Sequence, residues 1–420
     1  MITFNKERNP VNLMRSLLFI GIFALFMTAM DLYAFRGIQH LMHQEGGGHR
    51  LWAMLFWGVS LVMFGALLWA GSRFRTLRDP AKFFGIMVVM GIFLMIYVPK
   101  LLFNVVQLAG DLTYWTSRLI NHRATGLRQG FLWTGTVAAA ALMVAFAMGM
   151  IRGRNNVKVF REEIAIRDLP PSFSGMKVVQ ISDIHLAGFY HHRSHIAGVV
   201  ERINRLEPDL LLFTGDMVNN FSEEVEPFLG ILQGLKAPLG KFAILGNHDY
   251  GHYFRWESEQ AEQENLHRVK QKIREAGFDL LLNEFRTIDL NGGSIELVGV
   301  ENWGKPPFPQ QGDLGKALEG TDPDRVKILM SHDPSHWDLK VRGKAPVQLT
   351  LSGHTHAMQI GIEIGSWHWS PSRWTYKQWA GLYRENGQYL YVNRGLGFTG
   401  FPGRVGIRPE ITLLTLVPAG

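Results

Sequence analysis

The chain has 420 residues, 47% of them hydrophobic, a formal net charge of +7 and no cysteine. That length suits two or three domains, or a membrane region with one large domain, and the lack of thiols excludes disulfides and thiolate chemistry without assigning a compartment. Residues 1–154 carry 15 Lys and Arg against five acids (Glu7, Asp31, Glu45, Asp79, Asp111), while the rest carries 28 against 31, so no basic domain outside the apolar part remains to bind nucleic acid.

Four apolar stretches occupy the first third. They lie near 16–33, 51–70, 83–99 and 130–151; the second and fourth are free of charge, the third is bounded by Lys82 and Lys100, and the first begins at Arg15 and runs toward Phe35. Each approaches the roughly 20 residues that a bilayer core requires, which predicts four transmembrane helices in a membrane region 1–154. Taken alone, residues 1–30 also read as a signal peptide with Lys6, Arg8 and Arg15 as its basic start, but no small-residue cleavage site follows and three more spans do. Buried core helix is the other reading of such runs. Arg73, Arg75, Arg78 and Lys82 flank the second connection and Arg152, Arg154 and Lys158 follow the last span, against Arg36 and Arg50 in the first outer loop. The positive-inside rule then places both termini inside, giving a multi-pass protein of the inner (cell) membrane with a cytoplasmic catalytic domain. Lys100, Arg118, Arg123 and Arg128, in an expected loop at 100–129, run against that pattern.

From about 157 the composition becomes that of an α/β domain, residues 155–420. Strands are predicted at 177–181, 209–213, 241–245, 295–300, 326–330, 347–351, 389–393 and 411–416, several of them apolar without alternation, as in strands covered on both faces. Helices are predicted at 195–206 and 256–276, the second with Leu266, Val269 and Ile273 on one stripe.

Five strand ends deliver metal-capable side chains. They are "SDIH" with Asp183 and His185, "TGDMV" with Asp216, "GNHDY" with Asn247 and His248, "SHDP" with His332, and "SGHTH" with His354 and His356. In an open α/β layer the carboxyl ends of strands form the ligand crevice. Side chains at i and i+2 of an extended segment point the same way, so Asp183/His185 and His354/His356 each aim at one cleft. Any one Asp or Asn after a strand is more often a turn former or cap; seven suitable residues at five strand ends are a set for two metal ions. Two carboxylates, one amide and four imidazoles suit Mn, Fe, Zn or Co rather than Ca.

These five blocks, in their order and spacing, resemble the calcineurin-like metallophosphoesterases over roughly 174–417. The resemblance implies a four-layer αββα sandwich preceded by the all-α membrane region, with two divalent metal ions. One would be held by Asp183, His185, Asp216 and His356. The other would be held by Asp216, Asn247, His332 and His354, with Asp216 bridging, so that His354 and His356 serve different ions. His248 matches the family's histidine that contacts phosphate and assists the leaving group, and Asp249 either orients it or is structural. The implied chemistry is attack by a metal-bridging hydroxide during in-line displacement. The family's protein phosphatases carry an Asp-Arg-Gly after the second block; "GDMVNNF", with Asn219 and Asn220, disfavours that activity. The layout resembles a bacterial branch with a polytopic N-terminal region, some of whose members cleave phosphodiester or pyrophosphate bonds of lipid-linked substrates.

Three functions follow as expectations. The first is a membrane-anchored hydrolase of an amphipathic phosphodiester or lipid pyrophosphate, to which Trp367, Trp369, Trp374, Tyr376 and Trp379 would present the bilayer interface, unless they only pack the domain edge. The second is a soluble phosphodiester or cyclic-nucleotide hydrolase merely tethered to the membrane. The third is a phospholigand sensor, which would have little need of a bridging Asp and His248.

Overall fold

The computed structural model describes residues 10–43, 49–119, 125–306, 308, 310–365 and 367–419. The chain forms two compact units, Met1–Gly71 with Ile92–Ala147, and Ser72–Gly91 with Met148–Gly420.

Four helices carry the apolar stretches: α1 (Pro10–His43), α2 (His49–Arg73), α3 (Pro80–Leu119) and α4 (Thr125–Ile151). Each is long and apolar enough to cross a membrane. In the first unit, Met27, Met30, Met63 and Tyr97 form one packed cluster, and Ala34, Phe103 and Leu132 another. Leu, Phe, Met and Trp remain exposed on the outward faces, the inverse of a water-soluble bundle.

The expected loop at 100–129 is mostly helix. Helix α3 continues through Pro99 to Leu119, so Lys100 and Arg118 lie on it and Arg128 lies on α4. Its 40 residues span about 60 Å at 1.5 Å per residue. Arg118 is exposed in the last turn of α3, whereas Lys100 and Arg128 are accommodated because they are paired. Lys100 meets Asp31, to which Tyr97 also donates at 3.0 Å, and Arg128 Nε lies 2.6 Å from Asp111, which also accepts from Tyr33. Charges inside a membrane bundle persist when they face partners. Lys6, Arg8 and Arg123 lie outside the described residues, as does the Arg15 side chain.

The second unit is a two-sheet α/β sandwich. Its elements, in chain order, are β1 (Lys158–Ile166), β2 (Lys177–Ile181), α5 (Arg193–Asn204), β3 (Leu210–Phe213), α6 (Leu229–Gln233), β4 (Lys241–Ala243), α7 (Glu259–Glu275), β5 (Asp279–Leu280), β6 (Glu284–Leu290), β7 (Gly293–Gly299), α8 (Leu314–Leu318), β8 (Lys327–Met330), β9 (Leu349–Ser352), β10 (Ile362–Ile364), β11 (Trp367–Trp369), β12 (Gly381–Glu385), β13 (Gln388–Val392) and β14 (Glu410–Pro418). One sheet has the order β1-β14-β2-β3-β4-β5 and the other β12-β13-β9-β8-β7-β6; β10 and β11 pair as a separate hairpin.

Strands β2 through β5 are parallel to one another, as are β7, β8, β9 and β13. The inner faces meet in one core that includes Val178, Leu210, Leu212, Ile328, Met330, Leu349 and Leu351, in the manner of stacked sheets. On the outer face of the second sheet, Val298, Leu329 and Leu390 pack against Ala317 of α8 and Trp337. Helix α7 is capped by Ser258, whose Oγ accepts from Ala261 N, and buries Val269 and Ile273 while Leu266 of the expected stripe is only half-buried. With parallel strands in both sheets, the carboxyl ends of β2, β3 and β4 meet those of β8 and β9 at one edge.

Candidate metal centre

Three of the five ligand-bearing loops, those after β2, β3 and β9, leave their strands in a conformation that most residues avoid. Asp183, His185, Asp216, His354 and His356 all have positive φ, between 48° and 70°, a cost of order 1–3 kcal/mol each that surrounding contacts must offset. Those contacts are backbone bonds between neighbouring loops. Asp183 N donates to Gly215 O at 2.9 Å, His185 N to Asp216 O at 3.2 Å and Gly353 N to His332 O at 2.9 Å. His354 N donates to both oxygens of Asp183, at 3.1 and 3.0 Å, joining the two sheets. Gly215 has φ +97°, and a Cβ there would lie 2.5 Å from Gly246 N and 2.9 Å from His332 Nδ1, so only glycine allows the loops this approach.

All seven predicted ligands arrive at this edge. His185 Nε2 is 3.0 Å from His356 Nε2 and 3.7 Å from Asp216 Oδ2. His356 Nε2 is 3.2 Å from Asp183 Oδ1. His332 Nε2 is 3.2 Å from Asp216 Oδ2 and 4.0 Å from Asp183 Oδ1. Asn247 Oδ1 and His354 Nδ1 are 2.8 Å apart. Three groups bring their ligand atoms within 4.8 Å of one another: Asp183, His185 and His356; Asp183, Asp216 and His332; and His185, Asp216 and His248.

The donor set fits metal ions. Two fully buried carboxylates require positive charge nearby, and His185 Nδ1 and His332 Nε2 are buried without a hydrogen bond. Mixed imidazole and carboxylate ligands of this kind suit first-row divalent ions. The internal electrostatics point the same way. Burial pushes the Asp216 carboxyl upward, but His332 and His248 hold it well below the usual range. Burial also works against charging His332, yet Asp216 and Asp183 raise it to about 10. His185 is held well below its ordinary value by burial and by His248.

Supporting residues hold these loops in place. Asp249 does not orient His248. Its carboxylate accepts from the backbone N–H groups of Gly246, Asp216, Met217 and Val218, at 2.9 to 3.2 Å. Burial and the Asp216 charge push this carboxyl up to about 7, against those four donors. His248 instead places Nδ1 2.9 Å from the Asn219 carbonyl; since a carbonyl only accepts, Nδ1 carries a proton there and Nε2 is left for the cleft. Glu224 accepts from the backbone of Asn219, Asn220 and Phe221, which fixes the "VNNF" turn. Tyr376 Oη lies 2.7 Å from His354 Nε2, Asn247 Nδ2 donates to Tyr253 at 2.7 Å, and Asp333 Oδ2 is 3.7 Å from His354 Nε2. Arg404, fully buried, donates to the carbonyls of Arg394, Gly395, Gly397 and His356. Asp333 stood inside the "SHDP" block and Tyr376 in the aromatic run; Arg404 stands among ordinary loop residues.

Comparison with known proteins gives the family. Residues 14–154 match the family model described as "Probable Calcineurin-like phosphoesterase, transmembrane domain", and residues 176–358 match "Calcineurin-like phosphoesterase". The chain belongs to the calcineurin-like metallophosphoesterases, a family of metal-dependent phosphoester hydrolases, and carries their transmembrane domain. It is 33% identical to the uncharacterized metallophosphoesterase YkuE of Bacillus subtilis, over 67% of this chain and 94% of that one. It is 30% identical to the transmembrane protein with metallophosphoesterase domain of Bos taurus, over 67% of this chain and 62% of that protein's length. A third relative, the UDP-2,3-diacylglucosamine pyrophosphatase LpxG of Chlamydia trachomatis, is 30% identical over 55% of this chain and 81% of its own.

Proposed function

We propose that this membrane metallophosphoesterase uses two divalent ions, from among Mn, Fe, Zn and Co, to hydrolyse a phosphodiester or pyrophosphate bond of a lipid-linked substrate. The observation behind the two-ion reading is the position of Asp216, whose Oδ2 lies 3.7 Å from His185 Nε2 and 3.2 Å from His332 Nε2. One carboxylate thus reaches both halves of the ligand set. Asp183, His185 and His356 would complete the first site with it, and Asn247, His332 and His354 the second. The ions, when bound, supply Lewis acidity toward phosphoryl oxygens and lower the pKa of water.

The chain's own residues do the rest. Asp183 and Asp216 bring negative charge that holds the cations in place. His248 keeps one proton on Nδ1 against the Asn219 carbonyl, which leaves Nε2 for the cleft, where in the imidazolium form it would give a proton to a departing oxygen. Tyr376 and Tyr253 cover the His354 and Asn247 side of the cleft. The lipid-linked substrate draws support from the four apolar helices and from the relative named as a diacylglucosamine pyrophosphatase. In the same reading, residues 1–154 form the membrane region and 155–420 the catalytic domain, on the cytoplasmic side of the inner membrane.

The test is metal-depleted full chain in detergent, reloaded with Mn²⁺ and assayed on bis-p-nitrophenyl phosphate, p-nitrophenyl phosphate and a nucleoside-diphosphate lipid. Turnover of the diester and the lipid, with two ions per chain by elemental analysis, is expected. One ion per chain, or a preference for the monoester, would overturn the reading.

A further inference from the structure

Among the described residues from 155 onward, the exposed large apolar side chains are Leu339, Met358, Ile362, Ile364, Trp367 and Trp374. Five of the six fall within seventeen residues. Ile364 and Trp374 are 69% and 76% exposed, an arrangement that a water-facing surface rarely tolerates as a cluster. The pieces share one scaffold. Strands β10 and β11 pair in register, Ile362 opposite Trp369 and Ile364 opposite Trp367. Ser370 Oγ donates to Ala357 O at 2.6 Å, tying the hairpin's exit to its entry. Ala357, Met358 and Gln359 all have positive φ, a strained run that leaves Met358 outward.

Two further observations say what covers this patch. The first is charge. Across 358–377 the one acid is Glu363, which is paired with Arg394 at 3.0 Å, while Arg373 and Lys377 are exposed. Exposed Trp and Ile flanked by basic residues match the apolar and anionic layers of a phospholipid surface. The second is continuity with a membrane helix. Gly361 N donates to Val405 O at 2.9 Å and Val405 N to Gln359 O at 2.8 Å, and the adjacent Arg404 N donates to Gly149 O at 3.1 Å. Gly149 stands in the last turn of α4, so two layers of backbone bonds join the hairpin to the end of an apolar helix.

We propose that the hairpin of β10 and β11, with Met358 and Trp374, is a bilayer-inserting element that seats beside the metal centre in an anionic phospholipid surface. Tyr376 then lies between that surface and His354, so the phosphate of a bilayer-resident molecule would reach the centre without leaving the interface. The proposal rests on membrane attachment of the chain and not on the hydrolytic reading.

The lack of cysteine makes the test direct. Full-length Ile364→Cys and Trp374→Cys, and Glu319→Cys as a water-facing control, are nitroxide-labelled and reconstituted in vesicles of phosphatidylcholine with or without phosphatidylglycerol. Collision with oxygen and with a water-soluble nickel chelate is measured by EPR. Labels at 364 and 374 are expected to collide severalfold more with oxygen and severalfold less with nickel than the label at 319. The contrast should be larger with phosphatidylglycerol and should shrink in Arg373→Glu/Lys377→Glu. Nickel access at 364 and 374 equal to that at 319 would overturn the proposal. So would shielding from both reagents, which would mean that a second copy or another protein covers the hairpin. None of these readouts depends on turnover, so loss of the hydrolytic reading would leave them unchanged.

Discussion

Asp216 Oδ2 lies within 3.7 Å of both His185 and His332, and its own backbone N–H is held by Asp249. Asp216→Ala is expected to abolish hydrolysis of every phosphoester and to lower bound metal, read by turnover and elemental analysis. Asp249→Asn keeps the shape but weakens the bonds that set the Asp216 loop, and a loss of about 10–100-fold in metal affinity is expected, as for other supports of ligand residues. Calorimetric metal titration checks it. His336 offers a separate probe of pH. Burial holds its imidazole down at about 4, with Nδ1 against Ser331 Oγ and its ring on Trp303. A histidine depressed on folding contributes stability that is present above its unfolded value and lost as pH falls toward its folded value. Stability should therefore fall between about pH 6.5 and 4, by an order of about 3 kcal/mol from this group. Thermal melts of His336→Asn should show a shallower slope over that window than the parent chain.

Strand ends bring the candidate ligands together, and glycine decides whether they meet. At the end of β9, a Cβ on Gly353 would lie 1.9 Å from Ser182 Oγ and 2.3 Å from Asp183 Oδ2. Gly353→Ala should displace Asp183 and cost most of the activity while the far-UV spectrum stays native. The loop preceding β14 carries Arg404, whose guanidinium binds four carbonyls around His356. Lysine has three donors on one atom and cannot reproduce that fork. Arg404→Lys is expected to destabilise by about 2–4 kcal/mol and to raise the metal concentration needed for half activity, both measurable on the purified chain. The eight predicted strands correspond to the eight interior strands β2, β3, β4, β7, β8, β9, β13 and β14. The four edges, β1, β5, β6 and β12, were not legible. Interior strands are covered on both faces and read as apolar runs, whereas an edge such as "KVFREEIAI" is half exposed and mixes charge with aliphatic residues.

At the scale of the whole chain, the two units do not divide at a single peptide bond. Residues 72–91 belong to the second unit with 148–420. Arg78 there pairs with Glu223 at 2.7 Å, and Arg255 N donates to Arg75 O. A chain beginning at residue 155 would lack these contacts and the Gly149 bond to Arg404. It is expected to melt lower than the full protein and to lose activity on lipid substrates more than on bis-p-nitrophenyl phosphate. Full activity of the shortened chain on every substrate, indifferent to detergent, would instead favour a merely tethered soluble hydrolase.

The sequence by itself determined the four apolar helices, the interior strands and the seven metal-capable residues at five strand ends, because hydrophobic period and strand-end chemistry are local properties of the chain. The tertiary structure decided the rest. Lys100 sits within a helix because Asp31 pairs with it in a continuing α3. Asp249 serves backbone N–H groups from two loops and not His248, and Arg404, some fifty residues from His356, supports the loop that carries it. Such partners are set by which loops meet at one sheet edge, and no window of neighbouring residues holds that information.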